Sequence, residues 1–72
     1  MKKYAIGLCA LDQDIEVVII EAENKLSAMH IAVKNKFNWD VLEDGRLPYV
    51  TSDDAIDYFL QGDINISKPV EI

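Results

Sequence analysis

Asp12, Asp14 and Glu16 stand at alternate positions, a spacing that can present oxygen ligands to calcium. A calcium loop also needs a glycine at its sixth position, and here Ile15 and Val17 open an apolar strand instead. An acidic hairpin turn is the expected outcome, with no metal ligand assigned. Asp53, Asp54 and Asp57 fall within one helical turn, and Asp53 and Asp57, four apart, share a face. Paired carboxylates can move protons or hold Mg²⁺, but no histidine or lysine lies near them in sequence. Their expected role is favourable charge at a helix start and an acidic surface for a partner. His30 is the only histidine and Cys9 the only cysteine. A catalytic dyad would need the fold to bring them together and something to activate the thiol, and the sequence supplies no activator. Cys9 therefore reads as a small buried hydrophobe, and His30 as a helix residue pointing away from the apolar stripe or along its border. Gly7, Gly45 and Gly62 are isolated, so no glycine-rich loop cradles a phosphate, and no catalytic residue or cofactor is assigned.

The chain has 72 residues, enough for one domain, 1–72, that hides only about 60 to 65% of the surface its unfolded chain exposes. So small a core leaves room for a dimer or a partner complex. A lone cysteine cannot form an intramolecular bridge, which suits a reducing cytoplasm. Asp12, Asp14 and Glu16 interrupt the apolar stretch that would follow a leader's basic start, and no run approaches the ~20 apolar residues that span a bilayer. A soluble cytoplasmic protein with no membrane contact is expected, in a bacterial host cell if phage-encoded. Thirteen acids against seven bases give a net charge of −6. Residues 1–36 balance, with five acids and five lysines, whereas residues 37–72 hold eight acids against Arg46 and Lys68. That asymmetry disfavours direct nucleic-acid binding, which needs a basic patch, and favours a basic partner.

These groups must be positioned by the elements around them. Lys3 to Leu11 alternates, with Tyr4, Ile6, Leu8 and Ala10 on one side, and Ile15 to Ala22 is rich in β-branched residues. Two strands joined by Asp12-Gln13-Asp14 should pair as a hairpin. Val17 and Ile19 share one face and Val18 and Ile20 the other, so the second strand is expected to be central and covered on both sides, or to lie in a dimer interface. Asn24 can cap a helix over 25–36 whose stripe is Ala28, Ile31, Ala32 and Asn35, flanked by Met29 and Phe37. Around Asp44-Gly45-Arg46, 39–43 and 47–51 read as two short strands, the latter an edge because of Pro48. Thr51 or Ser52 then caps a helix through about Gln61, with Gly62 as terminator. Ile64 to Ile66 and Val70 to Ile72 could add a last strand interrupted by Pro69, and 63–69 is expected to be the exposed irregular stretch. The fold class is α+β, a small mostly antiparallel sheet with two helices in the order ββαββαβ. Trp39, Tyr49, Tyr58, Phe37 and Phe59 should mostly be core, any exposed ring serving as an interface anchor.

The passage from Ile19 through Glu21, Asn24 and Leu26 to Ala32, about a fifth of the chain, resembles the strand-cap-helix segment of small phage-encoded proteins of the anti-CRISPR and anti-defence inhibitor type. The resemblance implies a mechanism in which an acidic body occupies a nucleic-acid-handling protein where its nucleic acid would lie. Carboxylates on a rigid scaffold can supply the steering and complementarity that phosphates supply. The expected function is thus a non-enzymatic protein-binding inhibitor docking on a basic partner through Glu43, Asp44, Asp53, Asp54 and Asp57. A regulatory, antitoxin-like homodimer and a small enzyme using Cys9 and His30 are the alternatives.

Overall fold

A computed structural model describes residues 1–10, 12–39 and 49–72. The elements are β1 (Lys2–Ala10), β2 (Glu16–Ala22), α1 (Lys25–Phe37), α2 (Ser52–Gln61), β3 (Ile64–Ile66) and β4 (Val70–Glu71). The class is α+β, with one antiparallel sheet of four strands and two helices. Most of the expected hairpin over 39–51 lies outside the described residues. Its described ends, Trp39 and Tyr49 to Thr51, are not in strands.

β1 and β2 form the expected hairpin, in continuous register from Lys2 opposite Ala22 to Leu8 opposite Glu16. β3 and β4 both lie on the other side of β1, Ile66 opposite Leu8 and Val70 opposite Ala5, so together they make one interrupted lane. The interruption holds Pro69, which has no N–H to donate. Ser67 keeps the lane attached: its N–H donates to the Gly7 carbonyl at 2.7 Å, and its hydroxyl accepts from the Gly7 N–H at 2.8 Å. The stretch expected to be irregular, 63–69, therefore contains a strand, because Ile64 and Ile66 alternate into the core around exposed Asn65.

Among the described residues the strand order β2-β1-β3 puts β1 at the centre and β2 at an edge, which corrects the first of the two expectations for the second strand, that it is central and covered on both sides. Tyr4, Ile6 and Leu8 of β1 and Ile20 and Ala22 of β2 are buried on one face, while Val17 and Ile19 stand on the other, exposed. Both helices pack on the buried face. A β-branched strand looks the same in sequence whether its second face meets a helix or water, so periodicity could not decide its place.

Asn24 caps α1, its side chain accepting from the Ser27 N–H at 2.9 Å, and Lys34 and Lys36 sit in the last turn where the helix end is negative. The inward side consists of Ala28, Met29, Ala32 and Val33, together with His30. The expected stripe was rotated: Ile31 and Asn35 are exposed. With Ala28, Met29, Ile31, Ala32 and Val33 all apolar, the helix has too little contrast around its circumference for period alone to fix its facing side. Thr51 caps α2, its hydroxyl accepting from the Asp54 N–H at 3.2 Å, while Ala55 and Phe59 are buried. Gly62 ends the helix, and Asp63, at φ 64°, makes the left-handed turn into β3. Phe59 lies at the middle of the aromatic packing, with the Trp39, Tyr49 and Tyr58 ring centres at 5.5, 5.9 and 5.7 Å.

Candidate interaction surfaces

Asp53, Asp54 and Asp57 are exposed on α2, with Asp53 and Asp54 in its first turn. There they favour the helix, since four free amides give that end partial positive charge. The Asp53 carboxylate lies 3.4 Å from the Lys68 ammonium, whereas Asp54 and Asp57 make no ion pair among the described residues. Ala55 and Phe59 hold the opposite side of the helix against the core, so these acids project from a fixed support. Glu43 and Asp44, expected on the same docking face, lie outside the described residues.

Among the described residues three ion pairs lie along the sheet. Lys2 pairs with Glu71 at 3.6 Å, Lys3 with Glu21 at 3.9 Å and Lys36 with Glu16 at 2.7 Å. Three lysines, two on β1 and one on α1, are thus each matched by a carboxylate of the sheet. Glu16 is accordingly engaged by a lysine, while Asp12 and Asp14 remain exposed in the hairpin turn.

His30 is buried, not turned outward or to a border: its Nε2 is hydrogen-bonded to the Tyr49 hydroxyl at 2.7 Å. The bond joins the middle of α1 to the residue two before Thr51, the α2 cap. Burial, with the neighbouring Tyr58 adding to it, pushes the Tyr49 pKa up to about 12. Cys9 is a buried free thiol opposite Asn65 across the sheet. No group of three or more metal-ligating side chains gathers among the described residues.

The second strand, expected to be either covered on both sides or part of a dimer interface, presents an open apolar surface because it lies at an edge. Ile15, Val17 and Ile19 are exposed in a row, across from Ala5 and Gly7 of β1, with exposed Val70 beyond. Small residues in the central strand leave a shallow apolar trough floored by Gly7 and bounded by Ile15 and Ser67, about 310 Å³ in volume. The signal was present in the two-sided hydrophobicity of 15–20, but its meaning depended on strand order. Contiguous exposed apolar groups of this kind mark interaction surfaces.

No family model matches the chain, and neither a curated protein nor a solved structure matches it. Neither described helix is long and apolar enough to cross a membrane.

Proposed function

We propose that this domain is a non-enzymatic protein-binding module that docks on a basic, nucleic-acid-handling protein through the acidic face of α2. It acts in the cytoplasm as a phage or mobile-element accessory inhibitor of the anti-defence type. The observation carrying this reading is the pair Asp54 and Asp57, exposed on a helix anchored by Phe59 and without an ion partner among the described residues. Lys2, Lys3 and Lys36 are meanwhile engaged by Glu71, Glu21 and Glu16 and so do not offset these carboxylates. Fixed carboxylates accelerate encounter with a lysine- and arginine-rich channel and fix its register, in an interaction weakened by salt.

The test is capture from a bacterial lysate at low salt by the full chain and by an Asp54→Asn/Asp57→Asn variant, with elution at about 500 mM salt, where the screening length is under about 5 Å. A basic nuclease, polymerase or nucleic-acid-guided effector eluting from the unaltered chain and absent with the variant supports the reading. Equal capture by both removes the acidic-face docking mode.

A further inference from the structure

The two edges of the sheet are built differently. One is the lane of β3 and β4, two short strands separated by Ser67, Lys68 and Pro69. Short strands, proline and lysine are devices that stop an edge from accepting another strand. β2 has none of them. It runs unbroken over Glu16–Ala22 with Val17-Val18-Ile19-Ile20 at its centre, and among the described residues nothing pairs with its far side.

Its two acids are neutralised within the chain, Glu16 by Lys36 at 2.7 Å and Glu21 by Lys3 at 3.9 Å. The edge of the strand itself therefore has no unpaired carboxylate for a basic partner, the exposed acids Asp14 and Glu23 lying beyond its two ends on a chain of net charge −6. It is instead a face on which two like-charged copies can meet without opposing charge. Exposed apolar groups also converge on it from both sides. On the outer face Val17 and Ile19 are 67% and 56% exposed. On the helix side a groove of about 300 Å³ separates β2 from α1, with Val18, Ala32 and Asn35 among its walls. Ile31, one turn before Asn35 on α1, is 38% exposed. A lone added strand would pair with β2 alone, whereas a twofold-related copy also sets its own α1 on the same side of the joined sheet, across the groove.

We propose that β2 pairs antiparallel with β2 of a second copy, about a twofold axis near Val18, making one continuous sheet across two chains. In that register Val17 lies opposite Ile19 of the second copy, Val18 opposite Val18, and Glu16 opposite Ile20. No acid of the strand then faces another acid, and the apolar rows of the two outer faces join. The interface does not use α2, so it stands independently of acidic-face docking, and the two respond to salt in opposite senses. Salt screens the repulsion between two negative chains and tightens the dimer, while it weakens carboxylate docking.

Sedimentation equilibrium of the full chain from roughly 1 to 300 µM, at low and high salt, tests the pairing. The expected mass rises from one chain to two with concentration, at lower concentration in high salt. A Val17→Lys/Ile19→Lys variant, altered only at exposed positions, keeps its circular dichroism and dimerises at least ~100-fold more weakly. Val50→Lys, at an exposed position preceding α2, leaves dimerisation unchanged. Amide hydrogen exchange on the unaltered chain gives a second readout: protection over 16–22 increases with concentration. A one-chain mass throughout, a dimer indifferent to the two lysines, or concentration-independent exchange in β2 each overturns the pairing and leaves the edge to a different protein.

Discussion

The imidazole of His30 and the hydroxyl of Tyr49 are 2.7 Å apart in the interior, joining α1 to the segment that leads into α2. A buried bond of this kind is worth about 1 kcal/mol net, and leaving its partner unsatisfied costs more. Tyr49→Phe should destabilise the domain by about 1 to 2 kcal/mol in urea denaturation, with the native circular dichroism retained.

The same tyrosine sets an alkaline limit. Its folded pKa, pushed up to about 12 by burial first and Tyr58 second, stands above the ordinary value of 10.0. The folded state therefore holds the proton more tightly than the unfolded one. The resulting stability is fully present below pH 10 and is lost as pH rises from there through about 12. Urea midpoints measured across that window should fall for the unaltered chain, and Tyr49→Phe should flatten the contribution of this group.

Phe59 is fully buried among Trp39, Tyr49 and Tyr58, and it also anchors the helix that carries Asp54 and Asp57. Phe59→Ala should cost about 3 to 5 kcal/mol, a large part of the stability of a domain this size. Thermal unfolding should show a collapse of the transition or its loss. Because the acids lose their support, docking on a basic partner should fail with it.

Gly7 gives the opposite sign. A Cβ there would meet Ile15 Cγ2 at 3.4 Å and the Ser67 hydroxyl at 3.6 Å, ordinary contacts, and the site is within a strand. Gly7→Ala should stabilise by about 0.5 to 1 kcal/mol, since a strand glycine gives up more chain entropy on folding than alanine does. Chemical denaturation with unchanged slope would check it.

The caps are a local test. Asn24→Ala and Thr51→Ala each remove an acceptor for a first-turn amide, Ser27 N–H and Asp54 N–H respectively. Each should cost about 1 kcal/mol, and the two should add, because they act on separate helices. Asn24→Ser should recover most of the loss at the first cap.

Much was legible from local chemistry. The hairpin, both helices, their caps at Asn24 and Thr51, the stop at Gly62 and the break at Pro69 each depend on neighbours within a few residues, and those neighbours are written side by side. So is the acidity of the start of α2, whose three aspartates fall within five consecutive residues. The rotation of α1 was not legible, because its apolar residues surround it and only packing on β1, β2 and α2 selects the side with Met29 and Val33.

By itself the sequence determined the class of fold, the ends of the helices and the position of the negative charge along the chain. These follow from backbone preferences and from ionisation, which act at short range. It took the tertiary structure to place β2 at an edge, to turn Ile15, Val17 and Ile19 outward, to pair Lys3 with Glu21 and Lys36 with Glu16, and to bring His30 to Tyr49. Each of these depends on which strand lies beside β1 and which helix covers which face, relationships between residues up to dozens of positions apart. A strand's alternation says that it has two faces, and the rest of the chain says what covers them.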